Sequence, residues 1–366
     1  MYDKQKFLLL LLVLTLIFSL FTIYVSSEEA PAVSARAAVL YEPETESFLY
    51  SKNSNEKLSM ASTTKIMTAL IALEELGLDE EIEVDSRAVG IEGSSIYLKE
   101  GERLTALDLV YALMLQSAND AAEALAYRIS GSIEGFAALM NERAEALGLK
   151  DTNFENPHGL DAKNHYTTAH DLALISAKAL ENPIFKEIAS CYKKEIESSE
   201  IKRTLVNHNK LLKSYEGCIG VKTGYTKKSG RSLVSAAERD GLRLISVTIN
   251  APNDWQDHKS LLDYGYSLLC ARTLAYSGEY RYKIPVLSGE CDYVYVSNKD
   301  SVKRIFKADS QDFDVQVKMF RYLAAPIAEG DIVGRVIFTQ NGEFLDSVNL
   351  YAESNVGKIK KKTSIF

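Results

Sequence analysis

A mixed α/β (α+β) fold is expected for this 366-residue chain, with one antiparallel sheet packed against helices and a small all-β domain after it. Three patterns point there. Apolar residues recur at helical spacing through much of residues 62–180, and three strand-like runs linked by glycine-containing turns follow Glu216. Beyond Tyr276 only short strand-like runs remain, without helical segments.

Residues 1–29 read as a targeting segment outside the fold. Lys4 and Lys6 precede an uncharged apolar stretch, 7–25, which as a helix would reach about 28 Å, close to a bilayer core. That length suits a retained signal-anchor, which would give membrane association through residues 7–25. The small residues at 25–27 and 30–32 suit cleavage of a signal peptide. Both readings place the rest of the chain outside the cytoplasm, secreted or anchored.

Residues 37–41 and 46–51, parted by Glu42-Pro43-Glu44-Thr45, predict a hairpin. A helix is expected from Ser62 to Gly77, where glycine suits a left-handed cap. Ile66, Met67, Leu70, Ile71 and Leu73 give it a broad apolar face, the mark of a buried helix. Residues 105–147 read as helical, starting on Thr105 with Asp108 three residues on, and interrupted at Ser117-Ala118-Asn119 and Ser130-Gly131. A loop at 156–161 and a helix at 168–180 follow. Strands at 218–223, 231–238 and 242–250 and a helix at 255–270 complete a domain spanning 30–274. Runs at 284–286, 293–296, 315–319, 332–338 and 343–351 form the β-rich domain, 275–353. A basic tail, 354–366, is too short for an amphipathic membrane helix and reads as solvated.

The formal net charge of −8 argues against nucleic acid as a partner. Cys191, Cys218, Cys270 and Cys291 lie far apart, with no metal-ligand spacing, and read as unpaired, partly buried thiols. Neither a metal nor a cofactor is expected.

The chemistry is carried by an ordered trio: Ser62-Thr63-Thr64-Lys65, Ser117-Ala118-Asn119 and Lys222-Thr223-Gly224. Each piece alone is weak, since Ser-x-x-Lys also occurs at Ser54, Ser190 and Ser199. Order, wide spacing and local structure raise its weight. Ser62 and Lys65, three apart on a helix, share a face. A lysine made neutral by burial and by a second ammonium, Lys222, could take the serine proton. The helix start offers N–H groups to an oxyanion, and the N–H of Tyr225 would supply the second donor. Gly224 leaves the strand bare for close approach of a peptide, Lys222 and Thr223 suit a carboxylate, Ser117 can relay a proton, and Asn119 can hold a substrate amide. His158 reads as a loop-shaping residue, and Asp171, beside His170, as a capping or loop-bracing carboxylate.

With Gln116-Ser117-Ala118-Asn119-Asp120-Ala121, Asn156-Pro157-His158-Gly159-Leu160, the stretch 166–172 and Gly220-Val221-Lys222-Thr223-Gly224-Tyr225-Thr226, the chain resembles the low-molecular-mass penicillin-binding proteins, serine D-alanyl-D-alanine carboxypeptidases. The resemblance runs from about residue 30 to 270 and implies a DD-peptidase/β-lactamase-like fold. It implies catalytic Ser62, Lys65 and Ser117, with Asn119, Lys222, Thr223, Gly224 and Tyr225 binding substrate. Ser62 would be acylated by the penultimate D-alanine of a peptidoglycan stem pentapeptide, and β-lactams would acylate it as mimics. Members often bind the substrate carboxylate with an arginine after the last core strand. Residues 250–258 hold none, which leaves Thr223, Lys222 or Arg231 for that task. The long C-terminal amphipathic helix of many members is missing too. No Glu-x-x-Leu-Asn lies between Asn119 and Lys222, which sets a class A β-lactamase aside. A DD-endopeptidase with the same site, or a β-lactam-sensing or wall-binding module without turnover, stays open.

Overall fold

Strand β1 (Ala37–Glu42) is buried along its whole length because it pairs on both sides. It forms a hairpin with β2 (Ser47–Lys52), as the proline-bearing turn suggested. The buried Glu42 carboxylate closes that turn by accepting from the Glu44 and Thr45 N–H groups, each at 2.8 Å. The computed structural model describes residues 29–198 and 201–360. The apolar stretch 7–25 and the end of the basic tail lie outside them. Among the described residues no helix is long and apolar enough to cross a membrane.

The first helix departs from expectation at both ends. Residues Ala61–Thr64 form a 3-10 turn, and α1 (Lys65–Glu75) begins only at the lysine. At the other end Leu76 is already extended, with φ −117° and ψ 145°. Leu76 packs on the core and its N–H still reaches Ala72 O at 3.1 Å, so Gly77 adopts no left-handed cap. Every residue from Lys65 to Ala72 is buried, as the broad apolar face required.

A short ladder, β3 (Glu81–Glu83) with β4 (Arg103–Thr105), leads into α2 (Ala106–Leu115). Thr105 Oγ1 caps α2 by accepting from Asp108 N at 3.1 Å. The chain breaks at Ser117 and resumes in α3 (Asn119–Ser130), which ends on left-handed Gly131, φ 72°. Helices α4 (Ile133–Ala146) and α5 (Ala169–Glu181) follow, the latter capped by Thr168.

Between residues 181 and 216, where the sequence predicts no element, four lie. Helix α6 (Pro183–Ser190) starts on an Asn182 cap with proline first, a recognisable signal. The hairpin of β5 (Lys193–Glu197) and β6 (Lys202–Val206) is hidden by charge, since only Ile196 and Leu205 are buried in it. A single turn, α7 (Leu211–Ser214), precedes the central strands β7 (Cys218–Thr226), β8 (Gly230–Arg239) and β9 (Leu242–Ile249).

The antiparallel sheet runs β2-β1-β9-β8-β7, so β7 is an edge. Side chains alternate as the two-residue period demands. Ala37, Val39 and Tyr41, with Ile245, Val247 and Ile249, join the main core built from α1 to α6. Ala38, Leu40 and Leu244 face the other way, against α8 (Asp254–Leu268) and its Leu261 and Leu262. Helix α8 is pinned by fully buried His258, whose ring lies between Ser235 Oγ and Thr248 Oγ1, the latter at 2.9 Å.

Helix α8 stops at Leu268, two residues short of expectation, and β10 (Leu269–Ala275) follows at once. Next come β11 (Arg281–Leu287), β12 (Tyr293–Ser297), β13 (Val302–Lys307), β14 (Asp314–Met319), β15 (Leu323–Ala324), β16 (Ile332–Gln340) and β17 (Glu343–Ala352). A six-stranded sheet runs β14-β16-β17-β12-β11-β15, and β10 pairs with β13 beside it. Val296, Val336, Phe338 and Leu350 fill its separate core. Strand β10 straddles the seam, with Leu269 and Ala271 on the α8 side and Leu274 and Ala275 in the β core.

Burial holds His258 at a pKa of about 3, against an ordinary 6.5. A folded pKa below the unfolded one means that the unfolded state binds the proton first, so stability falls as pH drops below about 6.5. By pH 3 the loss is on the order of 4 kcal/mol. In thermal melts between pH 7 and pH 4, His258→Gln is expected to lose less Tm than the parent. An unchanged pH slope would contradict the assignment.

Candidate active site

Ser62 and Lys65 meet as their spacing requires, but through a 3-10 turn, where side chains three apart eclipse. Lys65 Nζ lies 3.1 Å from Ser62 Oγ. The same nitrogen donates to Asn119 Oδ1 at 2.7 Å and to the backbone oxygen of His158 at 2.6 Å. Those two oxygens can only accept. A neutral amine therefore gives them its two hydrogens and is left with its lone pair toward the serine hydroxyl. Lys65 is fully buried, which holds its pKa well below the usual lysine range; the nearby Lys222 charge pushes the same way, and Asp120 opposes it.

Each partner of Lys65 is itself fixed. Asn119 opens α3 and is buried, and its Nδ2 donates to Glu92 O at 2.5 Å. Its carboxamide thus grips the lysine and the neighbouring loop, a tighter engagement than sequence suggested. Asp120 braces that loop by accepting from Ser95 Oγ at 2.6 Å and Leu98 N at 3.0 Å. The His158 carbonyl is set by its loop. Asn156 Oδ1 accepts from Gly159 N at 2.7 Å, and His158 Nδ1 accepts from Leu160 N at 3.1 Å. The opposite ring nitrogen faces Glu123 Oε1 at 3.4 Å, and burial lowers the His158 pKa, leaving a neutral, loop-shaping histidine. Gly159 has φ 88°, and a Cβ there would lie 1.9 Å from Ala61 O. Only glycine lets this loop lie under the serine turn. Asp171 also braces a loop, accepting from Asp151 N at 3.1 Å and Thr152 Oγ1 at 2.8 Å.

The edge strand β7 brings the third motif alongside. Lys222 is buried, donates to Thr223 O at 3.0 Å, and is pulled by desolvation to about 7. Gly224 packs against the serine turn, since a Cβ on it would stand 3.1 Å from Ser62 N. The closeness its bare backbone permits is to the serine turn itself, beside the substrate path that the sequence suggested. Thr226 N–H points inward, to Ser229 Oγ at 3.0 Å in the β7–β8 turn. N–H directions alternate along a strand, so that of Tyr225 faces the open edge.

Ser62, Ser117, Thr223, Gly224 and Tyr225 line one cleft of about 380 Å³, where Ser117 sits in a left-handed conformation, φ 59°. Ser94, His208, Lys210, Arg231, Asp254 and Trp255 line it as well. Of these only Arg231 is a candidate from sequence, because the others share no local motif and converge through the fold. Among the described residues no group of three or more His, Cys, Asp or Glu side chains is placed to hold a metal. The four cysteines are unpaired.

Fold and cleft together define a serine hydrolase of the acyl-transfer kind. Residues 24–253 match the family model of D-alanyl-D-alanine carboxypeptidase, and residues 271–358 that of the penicillin-binding protein 5 C-terminal domain. The chain is 32% identical over 338 residues to D-alanyl-D-alanine carboxypeptidase DacF of Bacillus subtilis, covering 89% of this chain and 87% of that one. It is 33% identical to the Escherichia coli carboxypeptidase DacC, over 90% of this chain and 86% of the relative. Penicillin-binding protein 5 of Haemophilus influenzae superimposes with TM-score 0.66 at 28% identity, over 90% of this chain and 99% of its own. The Streptomyces K15 DD-transpeptidase does so with TM-score 0.62 at 31% identity, over 66% of this chain and 100% of its own. The chain belongs to the D-alanyl-D-alanine carboxypeptidase family.

Gly159→Ala is expected to lift the loop off the serine turn. A fluorescent penicillin should then label the protein at least about tenfold more slowly, with about 1 kcal/mol or more of lost stability. Parent-like labelling would show that the His158 carbonyl is not needed where it lies.

Proposed function

We propose that this enzyme removes the terminal D-alanine from peptidoglycan stem pentapeptides through an acyl-enzyme on Ser62. The observation that carries this reading is the pair of pure acceptors on Lys65 Nζ, which leaves the lone pair of the neutral amine facing Ser62. Lys65 takes the Ser62 proton as Oγ attacks the carbonyl carbon of the penultimate D-alanine. The C–O bond forms and the carbonyl π pair moves onto oxygen, where the N–H groups of Ser62 and Tyr225 donate to it. Collapse of this intermediate breaks the C–N bond. The proton held by Lys65 passes through Ser117 to the departing amine, and D-alanine leaves. Water then attacks the ester, its proton goes to Lys65 and on to Ser62 Oγ, and the tetrapeptide carboxylate is released.

In this scheme Asn119 orients Lys65 and keeps a second Nδ2 hydrogen for the substrate amide. Gly224 holds the strand against the serine. Thr223 offers its hydroxyl to the substrate carboxylate, and the residual charge on Lys222 keeps Lys65 neutral. β-Lactams acylate Ser62 by the same first step. The substrate lies outside the cytoplasm, and residues 7–25 are the segment proposed to take the chain there, either cleaved to leave it secreted or retained to anchor it at the membrane. A DD-endopeptidase is the second reading. It is favoured by a cavity of about 610 Å³ adjoining the cleft along Pro252–Gln256, which has room for a longer leaving group.

The test is release of D-alanine from a stem pentapeptide by the chain lacking residues 1–29, with a cross-linked stem-peptide dimer assayed alongside. Ser62→Ala is expected to abolish both release and the covalent penicilloyl adduct. An adduct on that variant would remove Ser62 from the mechanism, and faster cleavage of the dimer would favour the endopeptidase. Lys222→Gln takes a positive neighbour away from Lys65, so the Lys65 pKa rises and the lysine stays protonated over a wider range. The acidic limb of the acylation–pH profile is then expected to move to higher pH, with a rate loss of about tenfold or more at neutrality. A limb that stays in place would mean that burial alone sets Lys65.

A further inference from the structure

The serine turn rests on a buried histidine that the steps above do not use. His165 stands edge-on to Phe154, with ring centroids 5.9 Å apart. A backbone bridge beside it fixes its place: Asn153 N donates to Tyr166 O at 2.9 Å, and Tyr166 N to Asn153 O at 3.1 Å. His165 Nδ1 lies 3.0 Å from Glu155 N, a group that can only donate. That ring nitrogen therefore carries the lone pair, and the single hydrogen of a neutral imidazole sits on Nε2. Burial favours this form and holds the His165 pKa at about 4, against an ordinary 6.5, with the nearby His158 ring pushing the same way.

Nε2 faces Thr64 Oγ1 at 2.8 Å, and Thr64 is buried as well. The threonine oxygen accepts that N–H and donates its own hydrogen to Ala61 O at 2.8 Å. One directed chain thus runs from His165 through Thr64 to the carbonyl just before the serine. Ala61 O and the Ser62 N–H belong to a single trans peptide plane, so they point in opposite directions from it. Pinning the carbonyl fixes the direction of the N–H. A pin is needed here, because Ala61 sits at φ 48°, a left-handed conformation that costs an alanine energy. The Ser62 N–H is one of those a helix start leaves without an internal partner, and Ser62 N lies against Gly224, the residue before Tyr225. A hydrogen bond received by a carbonyl also polarises its amide, which makes the N–H at the other end a stronger donor.

We infer that His165 and Thr64 are positioning residues for the oxyanion site: through Ala61 O they aim and polarise the Ser62 N–H that receives the developing negative charge. The inference rests on the acyl-enzyme reading of Ser62. It adds to that reading the two side chains that hold one oxyanion donor in place.

The experiment follows, in the full chain, the acylation rate with a fluorescent penicillin and the infrared carbonyl band of the penicilloyl ester. Thr64→Val keeps the side-chain shape and removes the hydroxyl. It is expected to slow acylation about tenfold, part of the hundredfold or more that loss of a whole oxyanion donor costs. His165→Leu should cost a similar factor, and the double variant little more than either, because both cut one chain. His165→Gln can accept from Glu155 N and donate to Thr64 at once, so it should restore most of the rate. In Thr64→Val the ester carbonyl band should move to higher wavenumber, since a misaimed N–H donates more weakly to that oxygen. Loss of packing alone would lower Tm, leave the band in place and gain nothing from glutamine. Rates in Thr64→Val and His165→Leu within about twofold of the parent would overturn the inference. So would slower rates with an unmoved band, or losses that multiply in the double variant. Should His165→Leu fail to fold, the band in Thr64→Val and the rate of His165→Gln still decide. A parent that forms no ester on Ser62 would overturn the acyl-enzyme reading itself.

Discussion

The proposed chemistry depends on one amine, Lys65 Nζ, that the fold keeps dry and pushes toward its uncharged form. A lysine in water is protonated at neutral pH and cannot take a proton from serine. Here burial and a neighbouring lysine act together, because taking an ammonium out of water costs several kcal/mol and a second ammonium nearby adds to that. The oxygens around Nζ then decide what the neutral form does. Asn119 Oδ1 and the His158 carbonyl take its hydrogens, so its lone pair can point only at Ser62. In the proposed mechanism the geometry makes the base as much as the depressed pKa does.

Such an arrangement is stable only if the acceptors cannot retreat. Three separate pieces of chain lock them: the Asp120-braced loop at 94–98, the Asn156-to-Leu160 turn with its glycine, and the 3-10 turn wedged against Gly224. Each is held by buried hydrogen bonds rather than by packing alone, and these specify one position where apolar contacts would tolerate several. The α1 core behind them, buried from Lys65 to Ala72, supplies the rigidity against which the serine turn, with Ala61 at φ 48°, can persist.

What could be read from sequence was what is local. Ser62 with Lys65 and Lys222 with Gly224 lie within four residues of each other, so helix and strand periodicity was enough to orient them. The hairpin, the capped helices α2 and α5, and the alternating strands of the sheet were legible for the same reason. The remainder depends on distant contacts. Gly159 matters because of Ala61, nearly a hundred residues away, and Asp254 matters because of Arg231. The β5–β6 hairpin was masked by surface charge, with one buried side chain per strand. Gly77 failed as a cap signal because Leu76, drawn into the core, ended the helix first. Strand β10 read as the end of a helix because its pairing partner, β13, is more than thirty residues further on.

The cations of the cleft are graded along its length from enclosed to open. At the serine end the cations are enclosed and pressed toward neutrality, which suits proton transfer. At the far end Lys210 and the partly exposed Arg231 stay open to water, the latter with its guanidinium 3.0 Å from the buried Asp254 carboxylate. Enclosed and open cations thus belong to different parts of the fold, the α1–β7 seam and the β8–α8 corner. The two are linked by no hydrogen bond of Lys65, whose three partners among the described residues are Ser62, Asn119 and the His158 carbonyl.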